Sequence, residues 1–234
     1  MRHFELICFD LDGTLVDTAG EIAEAANRAL EEHGIARRPV AEITQLIGAG
    51  TRELMLHLLA QVFHEQPGLA DRVRPDEVLA SLDRHYAITT GSSAVVYGGA
   101  REALRRLRAA GVRTACVTNK ELRHARRVLQ ATRLDGLFDL VVGGDSLPQK
   151  KPHASVLQHV TEQLGIRPLR SAHVGDSRID VEAARNAGFA AWAVPYGYNA
   201  GEPIQSARPQ RVFPDLQALA SHVLAPDPST IARN

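Results

Sequence analysis

The chain has 234 residues, enough for one large domain or a core with a smaller insert, and its 44% hydrophobic and 23% charged residues form an ordinary globular mix. Acidic and basic residues balance at 27 each, which excludes a global field drawing the chain to nucleic acid or to an anionic membrane. No run approaches the roughly 20 apolar residues of a membrane span, and none of the 10 His stands in the spacing of a zinc site.

The first apolar run, "FELICF", predicts a buried strand over 4–9. Polar residues end it: Asp10, Asp12, Gly13 and Thr14, in "DLDGT". Thr18 and Glu21 are spaced as a capping box before the helix "EIAEAANRALEEHG". Its apolar positions, Ile22, Ala26, Ala29, Leu30 and His33, repeat at helical spacing. Residues 40–90 stay helical, in "VAEITQLIG", "TRELMLHLLAQVF" and "PDEVLASLDRHYA", with Gly48 and Gly50 as simple breakers. From "GGAREALRRLRAAG" onward helices alternate with short apolar runs: "VRTACVTN", "FDLVVGGD", "SAHVGD", "FAAWAVPYG" and "RVF". That alternation predicts an α/β fold, a doubly wound parallel-sheet (Rossmann-like) core with an inserted all-helical unit. Residues 1–15 and 95–225 are expected to form the core, 16–94 the helical cap and 226–234 a frayed tail. Cys8 and Cys116 each lie inside a predicted strand, as buried thiols rather than a disulfide pair. The start "MRHFELICFD" is too short and too acidic for a signal peptide. A soluble, cytoplasmic protein is expected.

In an open parallel sheet, ligands bind at the carboxyl ends of the strands. There the sequence places Asp10 and Asp12, then Thr118, Asn119 and Lys120, then "GGD" followed by Lys150 and Lys151, then Asp176, Ser177 and Asp180. Crowded carboxylates call for a hard cation, and Mg²⁺ fits oxygen-only donors. Hydroxyls, a lysine and loop N–H groups call for an anion such as phosphate. Each residue also has a plain structural use: Asp12-Gly13 as a turn, Thr118 and Asn119 as caps of the next helix, Lys150 as a solvated surface charge, Asp180 as a first-turn acid.

Taken together, "DLDGT", "VTN", "KKP" and "GDSRIDVEAARNAG" resemble the four motifs of the haloacid-dehalogenase-like phosphohydrolase superfamily, in the family's order, and the helical insert resembles its alpha-helical cap. The resemblance implies Asp10 as nucleophile and Asp12 as general acid–base. It implies Mg²⁺ held by Asp10, Asp176 and the backbone carbonyl of Asp12. Phosphate would be held by Thr118 and Lys151, with Asn119 supporting that loop. Asp180 would sit behind the metal ligands or orient Lys151. Where the family pattern carries Asn before this last Asp, the chain has Ile179. The segments "YGYNAGEPI" (196–204) and "LIGAG" (46–50) resemble those of bacterial phosphoglycolate phosphatases. They imply a small phosphorylated metabolite, 2-phosphoglycolate, with Arg52 placed for its carboxylate. Other esters (a sugar phosphate such as N-acetylmuramic acid 6-phosphate), pyrophosphate and a β-phosphoglucomutase-like mutase stay open at this stage. A receiver-type phospho-acceptor fits less well, because a receiver is far shorter and has no helical insert. The expected assembly is a monomer or homodimer, with no nucleic-acid or membrane partner.

Overall fold

Strand β1 (Leu6–Phe9) is buried at every position. So are the last four residues of β4 (Arg113–Val117) and all of β6 (Ser171–Gly175). Central strands covered on both faces carry apolar residues continuously rather than alternately. The computed structural model describes residues 4–225, and the expected frayed tail, 226–234, lies outside them. With β5 (Leu140–Val142), β7 (Ala190–Ala193) and β8 (Arg211–Val212), these strands form one six-stranded sheet in the order β5-β4-β1-β6-β7-β8. Every neighbouring pair is parallel. Phe9 is in register with Cys116 on one side and Val174 on the other. That register delivers Asp10, Thr118 and Asp176 to the same edge. The chain leaves β1 for β4 and β5 on one side and comes back to β6 on the other, so β1 marks the switch point of the winding.

Alternate residues of β1 face opposite sides. Ile7 and Phe9 pack with Leu104 and Leu107 of α5 (Ala100–Ala109), Val128 of α6 (Leu122–Ala131) and Leu219 of α9 (Leu216–Leu224). Leu6 and Cys8 pack with Leu157 of α7 (Ser155–Leu164) and Val181 of α8 (Arg178–Asn186). Both cysteines are buried free thiols, as expected, and burial raises their pKa values. A third apolar cluster lies wholly in helices and turns between β1 and β4. It joins α1 (Ala19–Glu32), α2 (Val40–Thr44), α3 (Thr51–Glu65) and α4 (Pro75–Thr89) through Ile22, Leu30, Ile43, Leu58, Leu82 and Tyr86. Among the described residues no helix is long and apolar enough to cross a membrane.

Two local expectations are corrected. The capping box at Thr18 and Glu21 does not form: the Thr18 hydroxyl donates to Asp12 Oδ1 at 2.6 Å, and Glu21 Oε2 accepts the Gly91 N–H at 2.8 Å. The first amides of α1 are served instead by Asp17 and by the Tyr198 hydroxyl. Glu21 is therefore used across the insert, joining α1 to the turn that ends it. The second correction is a two-stranded ribbon. Strand β2 (Val16–Asp17) pairs antiparallel with β3 (Val95–Val96) where the chain leaves and re-enters the core. Two-residue strands carry no readable period.

Leu107 is fully buried against the sheet. Leu107→Ala should lower the unfolding free energy by about 2–5 kcal/mol, read from urea midpoints at unchanged slope.

Candidate active site at the carboxyl edge of the sheet

Asp10 emerges from β1 into a buried ion cluster. Lys151 Nζ stands 2.8 Å from Asp10 Oδ1 and 2.7 Å from Asp180 Oδ1, and donates to the Val117 carbonyl at 2.7 Å. All three ammonium protons are thus directed at protein acceptors. Asp180 has further partners: Oδ2 accepts the Ser177 hydroxyl at 2.6 Å and its N–H at 3.2 Å, closing the start of α8, and His173 Nε2 lies 3.1 Å from Oδ1. Asp180 thus lies both against Lys151 and beside Asp10 and Asp176, at both of its expected positions.

Asp176 is clamped from several sides. Its Oδ1 accepts the Thr14 hydroxyl at 2.7 Å, and its Oδ2 accepts the Tyr198 N–H at 2.6 Å. Two glycines make room for it. A Cβ on Gly197 would lie 2.1 Å from Asp176 Oδ2, and one on Gly13 would lie 2.4 Å away. Gly13 also has φ +84°, a left-handed conformation that glycine adopts without strain. The "YGYN" segment does more than follow the fourth motif. The Tyr196 hydroxyl donates to the Thr14 carbonyl at 3.0 Å, and the Tyr198 hydroxyl meets Asp17 and the first amides of α1.

Asp12 points elsewhere. Its Oδ1 accepts from Thr18 Oγ1 and from Lys120 Nζ, each at 2.6 Å. Lys120 also donates to the Tyr86 hydroxyl, supplied by α4. Burial alone would lower the Lys120 pKa, but Asp12 and Tyr86 hold it above its ordinary value. Asp10, Asp12, Thr118, Asn119 and Lys120 line one cavity of about 20 Å³, walled on the helical side by Ile22, Ile47, Leu54 and the glycines of "LIGAG". Thr118 is buried there, its hydroxyl accepting the Lys120 N–H at 3.2 Å.

Asn119 ties this edge to the helical insert. Its Nδ2 donates to the Gly48 carbonyl at 3.1 Å and to the Lys151 carbonyl at 3.0 Å. Lys150, expected as a solvated charge, donates to the Ala49 carbonyl at 2.7 Å. Neither Thr118 nor Asn119 caps α6; the Leu122 N–H goes to Asp145 Oδ1 at 2.7 Å. Arg52 does not line the cavity of the aspartates. It lies in the first turn of α3, on a neighbouring pocket with Thr51, Tyr86 and Glu121.

Acceptor atoms of Asp10, Asp176 and Asp180 all lie within 4.8 Å of one another. Burial pushes the Asp10 carboxyl up to about 7, with Lys151 opposing and the neighbouring aspartates reinforcing the shift. Burial, then Asp10 and Asp180, raise Asp176 as well. Burial would raise Asp180 too, but the Lys151 charge and the His173 hydrogen bond hold it below the usual carboxylate range. Asp10 and Asp176 are therefore two oxygen donors whose repulsion a hard divalent cation would relieve, and the donor set fits such an ion. A second group, Asp83, Glu121 and His124, has comparable spacing, but Arg123 already pairs with both of its carboxylates.

Residues 4–188 match the family model of haloacid dehalogenase-like hydrolases. The chain belongs to that family and is a hydrolase. A protein of Nitrosospira multiformis, named phosphoglycolate phosphatase, is 40% identical over 92% of this chain and 95% of its own length. One of Psychrobacter arcticus with the same name is 35% identical over 96% and 98%. A crystal structure from Haemophilus somnus, described as a predicted phosphoglycolate phosphatase, superposes with a TM-score of 0.87 at 31% identity, covering 95% of this chain and 99% of that one.

Apart from Lys151, the side chains that hold the aspartates were given no role from the sequence. Thr14 and Lys120 stand inside or beside quoted motifs, where their neighbours drew the attention. Thr18 lies near Asp12 in sequence but its local spacing pointed to a helix cap instead, while Tyr86 and Tyr198 carry no local signal, because their partners lie far along the chain.

Two predictions follow from this geometry. Gly197→Ala forces Asp176 aside, so divalent-cation affinity measured by calorimetry should fall about tenfold or more, with the circular dichroism spectrum retained. In chelator-treated protein, Asp10 and Asp176 keep protons that the unfolded chain releases, so the melting temperature should fall as pH rises from about 4 to about 7. Asp10→Asn should flatten that fall. The Asp180 contribution has the opposite sign and is lost only below the ordinary carboxylate range.

Proposed function

We propose that this hydrolase is a Mg²⁺-dependent phosphomonoesterase working through an aspartyl-phosphate on Asp10, with 2-phosphoglycolate as its substrate. One observation carries the reading: two aspartates at the end of one strand border the same cavity, yet are held by different cations. Asp10 faces Lys151, and Asp12 faces Lys120.

An Asp10 carboxylate oxygen attacks phosphorus while the ester P–O bond breaks, and the departing alkoxide takes a proton from Asp12. Asp12, now a carboxylate, then takes a proton from a water that attacks phosphorus and breaks the bond to Asp10, releasing inorganic phosphate. Asp10, Asp176 and the Asp12 carbonyl would hold Mg²⁺, which supplies charge screening between a carboxylate and a phosphate dianion. The Thr118 hydroxyl would donate to a phosphate oxygen. Lys151 is already engaged by three acceptors, so it would act mainly by its charge, or by exchanging one of them for phosphate.

The helical unit, residues 16–94 in the expected division, would act as a cap. About 20 Å³ above the aspartates holds little more than one water, so any ester enters only when the cap moves from the core. The contacts released would include those of Asn119 and Lys150 with the "LIGAG" carbonyls and that of Lys120 with Tyr86. A small ester demands the least room when the cap returns, and the apolar wall of Ile22, Ile47 and Leu54 would exclude water beyond the attacking one. The name shared by the two relatives points the same way.

Asp10→Asn should cut Mg²⁺-dependent turnover by about 10³-fold or more; undiminished turnover would sink the mechanism. A panel of esters should give the highest kcat/KM for 2-phosphoglycolate. Preference for a hexose phosphate would overturn the substrate and leave the chemistry standing.

A further inference from the structure

We propose that Lys120, set in place by Tyr86, is a positioning residue that fixes which oxygen of Asp12 carries the proton given to the leaving group. The inference rests on the reading of Asp12 as the general acid.

Both hydrogen bonds recorded for the Asp12 carboxylate fall on one atom. Thr18 Oγ1 and Lys120 Nζ each reach Oδ1 at 2.6 Å. An oxygen that accepts two donors, one of them charged, has no lone pair left for a proton. The only oxygen open to the proton that the acid must carry is therefore Oδ2, and the orientation of the acid is decided before an ester arrives. As the Oδ2–H bond breaks and the leaving oxygen takes the proton, the electron pair stays on the carboxylate. The charge it leaves is then met at Oδ1 by the Lys120 ammonium.

Lys120 is itself fixed from the helical side. Its side chain is 1% exposed. Its ammonium donates to the Tyr86 hydroxyl and lies 5.2 Å from the centre of the Tyr86 ring. That ring packs on the His124 imidazole with centroids 4.5 Å apart. Tyr86 is rooted in the apolar cluster of the insert, whereas Lys120 follows β4 in the core. The seat of the proton is complete only while α4 rests against the loop after β4. Docking of the insert and readiness of the acid are thereby one event.

A plain structural ion pair would affect all substrates alike, but a positioned acid matters in proportion to the leaving group's need for a proton. The experiment measures kcat/KM over phosphate esters from p-nitrophenyl phosphate, whose leaving group departs as a stable anion, to simple alkyl phosphates. This ratio includes every step through departure of the alcohol and omits the later hydrolysis of the aspartyl-phosphate. Lys120→Met should lose about 10²-fold on alkyl esters and less than about fivefold on p-nitrophenyl phosphate. Tyr86→Phe, which removes one oxygen, should show the same tilt at about three- to tenfold, and it carries the test alone if Lys120→Met does not fold. The double variant should be no worse than Lys120→Met, since both act along one route. Equal losses across the series, in Tyr86→Phe and in any folded Lys120→Met, overturn the proposal. A flat series in Asp12→Asn instead overturns the role of Asp12 beneath it.

Discussion

The Lys151 ammonium, between Asp10 and Asp180 and under the Val117 carbonyl, lets a sheet edge collect buried carboxylates without unfolding around them. A single buried carboxylate without a partner costs several kcal/mol, and like charges close together add to the cost. Lys151 lowers both carboxyls it touches, yet they end in opposite states: with His173 it holds Asp180 strongly acidic, while burial and the neighbouring aspartates leave Asp10 near neutrality. Asp176, beyond reach of that ammonium, is raised by burial and by its neighbours. The cluster is therefore divided between a part neutralised by protein and a part that a cation would neutralise.

The other contacts of the site transmit this arrangement outward. Asp180 passes it to α8 through Ser177 and to the sheet through His173. Asp176 passes it through the Tyr198 amide to a loop whose hydroxyls reach Thr14, Asp17 and the start of α1. Asn119 joins the third motif's backbone to the "LIGAG" segment. The charge centre and the helical insert are thus linked by a few directional bonds rather than by a broad apolar contact. Such links can part and re-form without exposing a core.

Where an element's cause is local, it was legible in the sequence. The strand Leu6–Phe9 is a continuous apolar run and Ser171–Gly175 a run of small or apolar residues interrupted by His173, and they were readable because burial on both faces leaves no room for alternation. The convergence of Asp10, Thr118, Lys151 and Asp176 followed from chain order and the carboxyl-end rule. The Thr18 box was misread because Thr18 and Glu21 have the right spacing but stronger claims on them, from Asp12 and from Gly91. The pairing of Lys120 with Tyr86 was invisible because it depends on how α4 lies against the loop after β4, which no period encodes. Arg52 was placed by its nearness to "GAG", yet a helical turn carries it to the neighbouring pocket.

The short ribbon of Val16–Asp17 with Val95–Val96 has a consequence for how such a chain can diversify. It holds the two ends of the helical insert side by side, so the core feels an excursion of nearly eighty residues as little more than a hairpin. Loop-closure entropy grows only with the logarithm of length, and here the closure is made by the ribbon itself. An insert joined in this way can be lengthened, shortened or exchanged with little penalty to the sheet. Selection on what enters the site can then act on the insert while the aspartates stay where β1 and β6 put them.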